Sequence, residues 1–161
     1  MSKQPLQERF STEVLQCLNE TFEHVQGIYL DKGTSLFETL EGISAEVASQ
    51  SVTDNSATIA AQVEHIRFYL DVLNDVMHGK EVGKVDWQEI WKSVRTVTPA
   101  EWDEQKRRLR QSYERVLETL KGFRSWEGEE EISGALAVLV HSAYHLGGIR
   151  QALGAIRSTS R

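Results

Sequence analysis

The residues Ile59, Val63, Ile66, Leu70, Leu73 and Met77 are spaced by alternate steps of four and three, and no other feature narrows the fold as far. At 100° per residue they form one apolar stripe along an α-helix, which is stable only when that stripe is buried against other helices. The helix is predicted to begin at Ser56 or Thr58 and to run to His78, with Gly79 where helices commonly stop. Glu64, Arg67, Asp71, Asn74 and Asp75 gather opposite the stripe, so that side is expected to face solvent. His65 lies on an inward-looking flank between the two, shared with Gln62 and Tyr69.

Three more long segments supply the partners. From Gln7 to Gln26, the residues Phe10, Val14, Cys17, Leu18, Thr21, Phe22 and Val25 recur at threes and fours, with Glu13, Asn19, Glu20 and Glu23 on the polar side. Thr98, Pro99 and Glu101 combine a cap, a proline at the first helical position and a carboxylate three residues after the cap, which predicts a helix from there to Lys121. Lys106, Arg107, Arg108 and Arg110 on that helix would suit a phosphate, but Glu101, Asp103 and Glu104 one turn earlier make a self-paired solvated face the better reading. The last helix is expected from Glu131 or Ser133 to Arg157, and being apolar almost all round it reads as the innermost. Short helical pieces are expected from Ser35 to Glu41, closed by Gly42, and after Ser44.

The link from Gly79 to Val97 exceeds the roughly two to eight residues usual between adjacent antiparallel helices. A link of that length can return along a helix, so the second and third long helices are predicted to be parallel. The result is an all-α four-helix bundle of up-down-down-up type, in one domain over residues 1–161. Within the link, Asp86 and Glu89 resemble a capping box and place Trp87 and Trp91 on one face of a short helix, covering the bundle or lining a ligand pocket.

A net charge of −6 argues against general affinity for nucleic acid. The single Cys17 cannot form an internal disulfide, and MSKQPLQERF lacks the apolar core of a leader, which together fit a reducing cytoplasm. The longest purely apolar run, Ala135 to Val140, falls well short of the ~18 residues that span a bilayer, so no membrane segment is expected. Cys17 falls on an apolar helix side and reads as a structural thiol rather than a nucleophile.

His141 and His145 stand four residues apart in HSAYHLGGIRQAL, which stacks both imidazoles on one helix face. Gly134, Ala137, Gly148 and Ala152 share that face, leaving room for close helix approach or for a cavity. Each ring alone is explained as well by a hydrogen-bonded core histidine. Three rings facing one interior would each need a buried partner, whereas one cation takes a lone pair from all of them. With His65 they make a candidate three-nitrogen site for an ion such as Zn²⁺, leaving a coordination position vacant for chemistry. A zinc protease is excluded because Ser142 stands where HExxH places its glutamate base. His24 and His78 lie toward helix ends and read as surface or cap residues.

The segments TIAAQVEHIRFYLDVL and GALAVLVHSAYHLGGIRQAL, joined by that long crossover, resemble the second and last helices of the DinB-like (DinB/YfiT) metal-binding proteins. The resemblance implies a divalent metal, zinc or nickel, on His65, His141 and His145, and homodimers as a frequent state. Some members of that family transfer low-molecular-weight thiols or act as thiol-dependent isomerases. The leading expectation is thus a metal-dependent enzyme that directs a small thiol at an electrophilic small-molecule substrate, with Gln62 and Tyr69 lining the substrate space. A hydrolase using metal-activated water, and a non-catalytic metal-binding stress or interaction protein, are the alternatives. No catalytic base is identifiable.

Overall fold

A computed structural model describes residues 5–159, and within them the chain is all-helical. The elements in order are α1 (Leu6–Phe22), α2 (Leu36–Glu41), α3 (Ala45–Ala48), α4 (Ile59–Met77), α5 (Trp87–Ser93), α6 (Pro99–Gly122) and α7 (Glu129–Thr159). Met1 to Gln4, part of the segment read for a leader, lie outside the described residues, as do the last two positions of the expected domain.

The helix starts follow side-chain chemistry visible in the sequence. Thr58 caps α4 by accepting from the Ala61 N–H at 3.1 Å, and Gly79 ends that segment with φ +69°, a conformation that favours glycine. At α6 the expected capping box is complete: Thr98 accepts from the Glu101 N–H, and the Glu101 carboxylate accepts from the Thr98 N–H at 2.7 Å. At α5 half of the box is present, with Asp86 accepting from the Gln88 and Glu89 N–H groups. The α7 helix begins at Glu129, where three glutamates in the first turn complement its dipole.

Side-chain pairs fix how the long helices run. Gln105 donates to the Ala60 carbonyl, Arg115 pairs with Asp71, and Thr119 donates to the Asn74 amide oxygen, at sequence separations of 45, 44 and 45. A constant separation means that α4 and α6 run in the same direction, which the long link permits. Against α7 the order reverses: Met77 meets Gly134, Tyr69 meets His141, His65 meets His145 and Gln62 meets Gly148. At the end of α1, Phe22 stacks on Tyr113 and Glu23 pairs with Arg110, while Phe10 reaches Trp126 beyond the end of α6, so α1 runs opposite to α6. The short α2–α3 segment is tied to the long helices by Trp102, whose indole N–H donates to the Ile43 carbonyl at 2.8 Å.

Several expectations about faces change. The charged side of α4 is turned toward α6 rather than into water, with Arg67 held between Glu64 and Asp71 and Asp71 also paired to Arg115. The α7 helix is not innermost on all sides, because Leu136, Val140 and Tyr144 are 39%, 64% and 76% exposed. By length and composition α7 could cross a membrane, with a mean hydropathy of 1.3 over its most apolar 18 residues, of which 39% is buried inside the protein. The α1 helix ends at Phe22, leaving Val25 outside it. Cys17 is half-buried, and burial, followed by Glu13 and Glu20, raises its pKa. The basic cluster on α6 is paired as expected at Lys106 with Asp103 and Arg107 with Glu104, whereas Arg110 reaches across to Glu23, the residue that follows α1.

Glu20 departs furthest from its expected place on a solvated face. It is fully buried, and its carboxylate accepts from the backbone N–H groups of Gln26, Ile28, Tyr29 and Leu30 at 2.7–2.9 Å. Burial alone raises its pKa, but these four donors outweigh that effect and lower it from 4.5 to about 2. Its stabilisation is therefore complete above pH 4.5 and is lost as the pH falls toward 2. Glu20→Gln is expected to lower the thermal midpoint at pH 7 by roughly 5 °C and to remove that acid dependence, measured by circular dichroism melts across the range.

The helical glycines give a second test. Nothing lies within 4 Å of a Cβ placed on Gly147, whereas one on Gly134 would meet the Met77 Cγ at 2.8 Å. Gly147→Ala is expected to stabilise the protein by about 1 kcal/mol in urea denaturation. Gly134→Ala should show no such gain, because Met77 must move to admit the methyl group.

Candidate metal centre

Antiparallel packing of α4 on α7 brings His65 against His141 and His145. One nitrogen from each ring lies within 4.8 Å of the others, and the ring centroids are 4.5–5.0 Å apart. His65 and His145 are buried and His141 is half-buried. Among the described residues these three are the only His, Cys, Asp and Glu side chains clustered closely enough for one ion.

The donor set fits a metal on two observations. His65 Nδ1 and His141 Nε2 are buried with no hydrogen-bond partner, an arrangement that costs free energy unless something accepts or supplies charge there. All three rings also favour the neutral form that ligation requires. Burial, then the neighbouring His145 and His65, lowers the His141 pKa to about 3. Burial followed by His65 lowers that of His145 to about 4, and burial alone lowers that of His65.

Aromatic rings hold the imidazoles from outside. Trp91 stacks on His65 with centroids 4.3 Å apart and planes at 22°, while Trp87 meets the same ring edge-on at 5.9 Å. Tyr69 stacks on His141 at 3.5 Å and 10°, and Tyr144 meets His145 edge-on at 5.1 Å. The tryptophans thus cover the centre, and they also form its wall. Their spacing set both on one side of α5; nothing in the sequence specified which long helix they would lie against.

Tyr69 touches a candidate ligand directly. Gln62 packs on α7 at Gly148, with its Oε1 2.8 Å from where a Cβ would stand. The small residues around the histidines serve close helix approach at Gly134 and Gly148. Ser142 is fully buried with an unpartnered hydroxyl, so the position between the two histidines offers no base. His78 caps α4 and is exposed, with its Nδ1 2.7 Å from the Asn74 carbonyl oxygen, and His24 is exposed on the loop after α1.

Comparison with known protein families, with curated proteins and with solved structures gave no match to this chain.

The histidine pKa values set a pH window. Unfolded imidazoles take up protons near pH 6.5, while folded His145 and His141 do so only near 4 and 3. Between these limits the unfolded state binds more protons, so the metal-free protein should lose stability as the pH falls from 6.5. Urea midpoints at pH 7.5 and 5.0 test this, and His141→Phe should flatten the difference between them.

Proposed function

We propose that this chain is a DinB-like metal protein whose four long helices form an up-down-down-up four-helix bundle, and that it transfers a low-molecular-weight thiol to an electrophilic small molecule. The parallel run of α4 and α6, with α1 and α7 opposed to them, supports the bundle. The observation that carries the chemistry is the unpartnered nitrogen pair in a cluster of three neutral imidazoles with no fourth protein ligand among the described residues. Such a set holds zinc or nickel while leaving a position vacant for a reactant.

When bound, the ion would supply Lewis acidity that favours the thiolate form of a thiol at neutral pH. His65, His141 and His145 would hold it, and Trp87 and Trp91 exclude water from one side. The Tyr69 phenol, its pKa raised by burial, stays protonated and can donate a hydrogen bond while its ring orients His141. The thiol must come from outside the chain, because Cys17 lies on α1 with a raised pKa. A reducing cytoplasm and a homodimer complete this reading, with neither nucleic acid nor membrane as a partner.

Protein purified without an affinity tag should contain about one zinc or nickel per chain by elemental analysis, and His145→Ala should release most of it. Cobalt-substituted protein should change its visible spectrum on titration with 2-mercaptoethanol, and should conjugate that thiol to bromobimane faster than the metal-free protein does. Protein that takes up none of these ions would overturn the metal centre. Metal-loaded protein that ignores thiols but hydrolyses activated esters would favour metal-activated water. Loaded protein inert to both would favour a binding role.

A further inference from the structure

A cavity of about 340 Å³, distinct from the histidine centre, is lined in part by Trp91, the ring that stacks on His65. One wall is the loop before α4, with Ser51, Asn55 and Ser56; the other is the end of α5 and the turn after it, with Trp91, Lys92 and Arg95. No carboxylate lines it. The Lys92 and Arg95 side chains make no ion pair or hydrogen bond within the described residues. Two exposed cations facing hydroxyl and amide groups, with no carboxylate in the lining to neutralise them, suit an anion.

Trp91 connects the two places. It lines the cavity and stacks on His65 at 4.3 Å, so one indole ring borders both the cavity and the histidine centre. We propose that this cavity binds the anionic end, a carboxylate or phosphate, of the small molecule that reacts at the histidine centre. This rests on the thiol-transfer reading and adds the substrate class to it. Arg95 supplies a planar fork of donors, Lys92 a point charge, and Ser51 and Asn55 the remaining hydrogen bonds.

The test separates the cavity from the metal. Calorimetric titration of the metal-free protein with succinate and with inorganic phosphate should show binding of at least one, with uncharged succinamide inert. The double variant Lys92→Ala/Arg95→Ala, checked for native circular dichroism, should weaken that binding at least tenfold, and Arg95→Lys in place of Arg95→Ala should restore part of it. Preference for succinate would assign a carboxylate, and preference for phosphate a phosphoryl group. On cobalt-loaded protein, 2-mercaptosuccinate should saturate the spectrum at least tenfold below 2-mercaptoethanol, and the double variant should erase that difference. Failure of both anions to bind, binding unchanged in the double variant, or equal saturation by the two thiols would overturn the inference and leave the metal centre standing. Anion binding without any uptake of cobalt would overturn the metal reading and leave the cavity standing.

Discussion

Gly134 and Gly148 let α7 lie so close to α4 that a Cβ at either position would meet Met77 or Gln62 at 2.8 Å. The histidine cluster joins the same two helices, because His65 comes from one and His141 and His145 from the other. Between the two glycines the antiparallel register places Tyr69 on His141 and His65 beside His145. Gly134 thus makes room for the Met77 side chain and Gly148 for the end of Gln62, and the register brings the rings together.

Burial then determines what those rings can do. An exposed trio of histidines would be partly protonated near neutral pH and would repel one another. Within this cluster, desolvation and mutual proximity keep the rings neutral, with His141 and His145 protonating only near 3 and 4. The same desolvation raises the pKa of Tyr69 beside them, so one environment yields neutral imidazoles and a protonated phenol.

Much of the architecture was legible because it rests on local chemistry. Thr58, Ser35 and the Thr98–Pro99–Glu101 set mark helix starts by donors and acceptors within three residues, and those starts stand where expected. The inward flank of His65 followed from the helical period alone. Glu20 was illegible because its four donors belong to a loop six to ten residues away, and an acidic residue between apolar ones looks the same in water. The charged side of α4 was misplaced because an ion-pair network with Arg115 can satisfy it as well as solvent can. The exposed side of α7 was hidden because a helix apolar all round has no period to give a direction. The wall formed by Trp87 and Trp91 depends on where α5 docks, which no spacing encodes.

Among the described residues, no carboxylate or carbonyl hydrogen-bonds any of the three imidazoles; flat aromatic faces hold His65 and His141 instead, and Tyr144 meets His145 edge-on. A hydrogen bond fixes a tautomer and an angle, but a stacked face allows a ring to slide or turn at little cost. A centre suspended in this way can adjust to ions of different radius and preferred geometry. Selection among zinc, nickel and their neighbours would then fall to the order of intrinsic affinities and to supply in the cell, not to the shape of the protein.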